Sequence, residues 1–267
     1  MQVWIVFFLL IITNAIGTFS YAARLAGVRA NSINNSGTIY NAMTLFSRLS
    51  NMFLLPFLGV IVEKAIRTGD IDGLTSDFRI LLLGSALGVL LASLLIPTMA
   101  DVFYFMIFKL KEHKSLVKAV RKEFTIKNIG SFFKVVRLPK KATLKKITIK
   151  EIPKGFLIIN IFTSCIYSVG FLAAIFSGAL WPEYRLVSSN LSSAINGFAT
   201  IALYILVDPI VNVITDEVLD EKHPRGLQDL KSTIAFLSVT KFIGLLLAQL
   251  VLLPVAYFII FIAKFFI

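Results

Sequence analysis

TNAIGTFSYAARLAGVRANSINNSGTIYNAMTLFSRLSNMFLLP, residues 13–56, decides how this chain is read. The stretch begins inside one apolar run and ends inside the next, so it belongs to a membrane. Yet it carries Arg24, Arg29 and Arg48, asparagines beside them, and no acid. Polar groups in hydrocarbon cost several kcal/mol each unless something satisfies them. The natural partner is negative, and this stretch does not supply it.

The rest of the composition agrees with a membrane protein. The chain is 57% apolar, with 24 Phe in 267 residues and a mean hydropathy of +0.83, above the usual make-up of a soluble domain. The net charge of +12 is localised. Lys109–Lys154 holds fifteen Lys/Arg against three acids, and the remainder of the chain is balanced. That distribution argues against nucleic acid as a partner and for a cytoplasmic loop lying on anionic membrane lipids. Cys165 is the only cysteine and lies in an apolar segment, and both histidines sit in charged loops. No disulfide framework, metal site or cofactor is expected.

Six apolar segments are long enough to span: Val3–Ala23, Thr38–Val62, Ile80–Phe108, Gly155–Leu180, Ser189–Ile214 and Ser232–Ile262. The third is long enough to tilt or to kink at Pro97, Asp208-Pro209 interrupts the fifth, and Pro254 is expected to break the sixth. The N-terminal run lacks the positive n-region of a signal peptide, and its positives follow the apolar core. It reads as a retained first span. Placing the basic loop inside puts Arg24, Arg29, Lys222, Arg225 and Lys231 inside too, and both termini outside. Within the loop, His113–Arg137 mixes regular apolar residues with lysines and reads as a helix in the headgroup layer. A solvated loop explains its charge but not its phenylalanines.

The two halves resemble each other. GVLLASLLIP (88–97) aligns with GLLLAQLVLLP (244–254), Pro56 to Gly73 has the spacing of Pro209 to Gly226, and IYNAMT (39–44) is similar to INGFAT (195–200). Three spans per copy would invert the second copy. The expected fold is an all-α polytopic membrane protein of six transmembrane helices in a 3+3 inverted-topology repeat. Its parts are residues 1–108, a basic cytoplasmic segment 109–154, and residues 155–267. Such repeats build transporters with the substrate path between the halves.

Arg48 falls near the middle of its span, as does Lys241, and each must face a cavity or a partner. Asp101 and Asp208 lie nearer the inner surface. One reading pairs Arg48 or Lys241 with Asp208 or Asp101. The other makes Arg24, Arg29 and Arg48 a positive ladder for a phosphate-bearing lipid, since guanidinium binds phosphate bidentately and keeps its charge when desolvated. Asn14, Asn41 and Asn51 can bind sugar or amide groups, or one another across helices. The candidate substrate-binding set is Arg24, Arg29, Arg48, Asn14, Tyr21, Asn41, Asn51, Asp208 and Lys241. Gly17, Gly27 and Gly37 are expected to let helices approach, and Gly84-x-x-x-Gly88 is a weaker signal of the same kind. Glu63 and its neighbours read as an ordinary outer loop.

SYAARLAGVR (20–29) followed by FSRLSNMFLLPFLG (46–59) strongly resembles the Amj family of bacterial membrane proteins, the alternate lipid II flippases. The resemblance implies transport of lipid II, the undecaprenyl-pyrophosphate-linked disaccharide pentapeptide, from the inner to the outer leaflet of the cytoplasmic membrane for peptidoglycan synthesis. It implies a function overlapping that of the unrelated MurJ flippases, and it brings no established binding residues. No G-x-x-x-x-G-K-[ST] occurs, so an intrinsic ATPase is excluded. The alternatives are a membrane enzyme acting on a prenyl-phosphate lipid, and a non-transporting scaffold of envelope synthesis that recruits partners through the basic loop. Six spans are few to enclose a large headgroup, which leaves a homodimer open.

Overall fold

The computed structural model describes residues 1–123, 136–139, 145–150, 152–220 and 225–266. Among these it is all-helical. The elements are α1 (Gln2–Arg29), α2 (Ile33–Thr68), α3 (Ile71–His113), α4 (Leu116–Glu123), α5 (Lys154–Leu180), α6 (Arg185–Ala202), α7 (Asp208–Leu219) and α8 (Leu227–Ala263). A short 3₁₀ turn, Pro182–Tyr184, precedes α6, and a π-helical turn, Leu203–Val207, joins α6 to α7. Together Pro182–Leu219 forms the fifth span, and among the described residues six helices are long and apolar enough to cross a membrane. The protein is therefore a multi-pass membrane protein.

Local sequence sets the turns. Gly69 takes a left-handed conformation to end α2 (φ 70°), and Asp70 then caps α3 by accepting from the Gly73 N–H at 2.8 Å. Asn31, in the tight turn between α1 and α2, has φ 45°. α3 is 43 residues long. At the helical rise this is about 64 Å, roughly twice the hydrocarbon thickness, so its end stands clear of the bilayer.

Three expectations need correction. α3 and α8 are continuous through Pro97 and Pro254, so the sixth span is not broken. The fifth span is disturbed before Asp208, not at it: Pro209 lacks an N–H and crowds the preceding turn, and the chain widens to a π turn there. Gly37 faces open space and brings no helices together, whereas Gly17 abuts Ser47 and Gly27 abuts Ser36. The amphipathic segment over His113–Arg137 falls largely outside the described residues; its described start is the helix Leu116–Glu123.

In each half the first span packs against the other two: α1 on α2 and α3, and α5 on the fifth span and α8. Gly88 and Gly244, which anchor the internal similarity, do equivalent work. Gly88 leaves no room for a side chain against the Ile11 backbone of α1. A Cβ on Gly244 would stand 2.6 Å from the Ile161 carbonyl of α5.

The apolar core is divided. One cluster gathers Leu10, Leu58, Phe78, Phe176 and Leu252 at one end of the bundle. Another gathers Ala23, Tyr40, Phe103, Ile107 and Leu230 at the end from which the basic segment springs. Between these clusters lies a cavity, into which α1 and α2 turn polar faces and α8 turns Lys241.

Candidate functional site: a cationic cavity in the middle of the bundle

The cavity measures about 90 Å³, room for several waters. Its walls follow helical periodicity. α1 contributes Thr13, Asn14, Gly17, Ser20 and Tyr21, and α2 contributes Tyr40, Thr44, Ser47, Arg48 and Asn51. Each set advances by three or four residues, which stacks it on one face. Ser164, Tyr167 and Ser168 come from α5, Leu203, Val207 and Asp208 from the fifth span, and Lys241 from α8.

Toward the basic end a polar network closes the cavity. The Tyr40 hydroxyl donates to Asp208 Oδ1 at 2.6 Å. The Arg24 guanidinium lies 3.9 Å from the same oxygen, donates to the Asn212 side chain, and stacks 4.3 Å from the centre of the Tyr40 ring. Arg24 and Asp208 side chains are only 12% and 14% exposed, and among the described residues the buried Arg24 Nε has no hydrogen-bond partner. Toward the other end, Asn51 Nδ2 donates to the Tyr167 hydroxyl at 2.9 Å.

Between these closures stand two bases. The Arg48 guanidinium lies 4.5 Å from the centre of the Tyr204 ring, and Lys241 Nζ donates to Thr18 Oγ1 at 3.2 Å. Among the described residues no carboxylate lies within 4.0 Å of either one. The site thus holds three basic side chains, Arg24, Arg48 and Lys241, against one acid, Asp208. A surplus of two positive groups at mid-membrane depth is costly unless an anion visits it.

The family model described as "Amj: Alternate to MurJ" matches residues 9–263. The chain belongs to the Amj family. A relative from Bacillus subtilis (strain 168), named Lipid II flippase Amj, is 34% identical over 266 residues, covering 99% of this chain and 98% of the relative. No solved structure matches.

In this Amj-family protein the structure gathers most of the residues singled out from the sequence. Asn14, Tyr21, Arg48, Asn51, Asp208 and Lys241 all line the cavity, and Arg24 stands behind Asp208. Two lie elsewhere. Asn41 is exposed, on another face of α2. Arg29 sits at the basic end, where it donates to Asp101 Oδ1 at 2.6 Å and lies 5.0 Å from the Tyr104 ring centre. Arg137 approaches the other Asp101 oxygen at 3.7 Å. The ion pairs of Asp208 and Asp101 therefore go to Arg24 and Arg29, and not to Arg48 or Lys241.

Sequence reasoning passed over Tyr40, Thr44, Ser47, Tyr167, Thr18, Asn212 and Tyr204. The 40-44-47-51 spacing of polar residues inside an apolar span was the available signal for α2. The partners contributed by α5 and the fifth span had no comparable one.

Proposed function

We propose that this protein is a lipid II flippase of the bacterial cytoplasmic membrane. It carries the undecaprenyl-pyrophosphate-linked precursor from the inner to the outer leaflet, with both termini outside. The observation that carries the site assignment is the charge imbalance at the cavity. A pyrophosphate diester brings two negative charges to a site with two surplus bases. Arg48 supplies a bidentate fork, and Lys241 a compact charge from the opposite wall. Arg24 joins them when Asp208 gives way. Asn14, Tyr21, Asn51, Thr44 and Ser47 face the same space and can bond the first sugar. Arg29, at the basic mouth, receives the headgroup before it enters.

A cavity of about 90 Å³ does not enclose a disaccharide pentapeptide, so the bundle must open for the head to pass. Alternating access between two inverted halves does this, with the halves moving about the midplane cavity. The shared packing role of Gly88 and Gly244 supports that arrangement. The basic segment 109–154 rests on anionic lipids and keeps the mouth at the inner surface. No nucleotide-binding motif occurs, so the energy comes from the substrate gradient, an ion gradient or the membrane potential.

The test is purified protein in liposomes with fluorescent lipid II and an external quencher, with and without a potential. Protein-dependent exposure of lipid II is expected. Liposomes that quench no faster than protein-free ones would overturn the reading.

A further inference from the structure

α2 and the fifth span both line the cavity, yet they do not pack on each other as the other neighbouring spans do. α1 meets α2 closely at Gly17 and Gly27, and α5 meets the fifth span closely at Gly170 and Gly178. The seam between α2 and the fifth span is instead crossed by side chains. At the basic end Tyr40 donates to Asp208 at 2.6 Å. At mid-depth Arg48 lies over the Tyr204 ring. At the far end Arg185 donates to Glu63. The lips of the seam are apolar and open: Met52, one turn from Arg48, is 65% exposed, and Ile201, one turn from Tyr204, is 52% exposed.

We infer that this seam is the binding track of the polyprenyl chain, and that the three bridges are gates which open in sequence. The inference rests on the lipid II reading. A headgroup held at Arg48 and Lys241 must send its tail out to hydrocarbon, and the seam joins the polar cavity to lipid-facing apolar surface. As the head moves between leaflets its tail travels along the seam, and each bridge is a crossbar in that path. Tyr40 and Asp208 part to admit the head, which releases Arg24 to the pyrophosphate. Arg48 exchanges the Tyr204 ring for phosphate oxygens. Glu63 and Arg185 part to let the tail leave at the far end. That last pair is 42% and 46% exposed, the class of ion pair that adds little to stability and is readily released.

Two measurements test this, both in a Cys165→Ser background. In the first, Glu63→Cys and Arg185→Cys are joined by a short, reducible bis-thiosulfonate. Flipping of fluorescent lipid II is expected to fall at least ten-fold against the same protein before joining, and to return on reduction. In the second, a benzophenone amino acid replaces Met52 or Ile201 and is illuminated with radiolabelled lipid II. The expected adduct yield is several-fold above that of the same probe at Leu90 or Leu250, exposed elsewhere on the bundle. A joined protein that keeps its rate overturns the inference, as does equal labelling at all four positions. Photo-capture needs no turnover. Selective adducts at Met52 and Ile201 in a protein that does not flip would keep the seam and sink the flippase reading. Flipping with indiscriminate labelling would do the reverse.

Discussion

Arg48→Ala tests the substrate site with the least disturbance to the fold. The Arg48 guanidinium lies over the Tyr204 ring at 4.5 Å, and among the described residues it has no carboxylate within 4.0 Å. A cation–π contact at a partly exposed site contributes about 0.5–1 kcal/mol, so the variant should fold and insert normally. Toward substrate the loss is larger. Hydrogen bonds to a charged group contribute about 1.5–3 kcal/mol. At about 1.4 kcal/mol per factor of ten, the half-saturating lipid II fraction should rise roughly ten- to a hundred-fold. Arg48→Lys keeps the charge but loses the fork, and should fall between wild type and Ala. The assay is the initial flipping rate in proteoliposomes against lipid II mole fraction, with reconstituted protein quantified for each variant. Wild-type half-saturation for Arg48→Ala, at equal protein, would remove Arg48 from the site.

Lys241→Met should separate stability from function. It removes a base with no carboxylate nearby, sparing an insertion cost of about 2.5–3.5 kcal/mol, so thermal unfolding in detergent should occur at or above the wild-type temperature while flipping is lost. Tyr40→Phe removes a 2.6 Å hydrogen bond to Asp208 and should destabilise by about 1.5–3 kcal/mol, read as a lowered Tm. Gly88→Leu drives a side chain into the Ile11 backbone; overpacking costs about 1–3 kcal/mol, so its Tm should drop, while Gly59→Leu, facing open space, should be close to neutral. Asp101→Asn weakens a half-exposed cluster with Arg29 and Arg137 and should change Tm little, since such pairs contribute about 0–1 kcal/mol.

The six spans were legible because a bilayer demands long apolar runs, whereas the turns set by Gly69-Asp70 and Asn31 were passed over. What proline does inside a span was not legible either. Pro97 and Pro254 sit in helices held on several sides by neighbours, and packing carries the chain through the missing hydrogen bond. Pro209 instead follows a π turn, Leu203–Val207, where the helix widens. Glu63 looked like an ordinary outer-loop charge because nothing local marks it; its pairing with Arg185 depends on bringing residues 122 positions apart to one end of one seam.

Thr13–Pro56 was conspicuous for having three arginines and no acid, and the structure gives that fact its sharper meaning. The acids exist, but they come from other helices and reach only part of the stretch. Asp101 on α3 meets Arg29 at the basic mouth, and Asp208 at the start of α7 meets Arg24 one layer deeper. Among the described residues neither lies within 4.0 Å of Arg48 at the next layer, where α8 adds Lys241 and the cavity lining brings no further acid. Neutralisation therefore thins with depth. On the proposed path an anion at the mouth would find its first arginine already engaged, its second shared with a carboxylate hydrogen-bonded to Tyr40, and its third with no carboxylate in direct contact among the described residues. Each step inward would then exchange a weaker hold for a stronger one, until the anion reached the cavity between the two apolar clusters. From there it goes on only if the far end opens. A fully paired set of arginines would give no such gradient, and a fully unpaired set would hold the anion at the entrance.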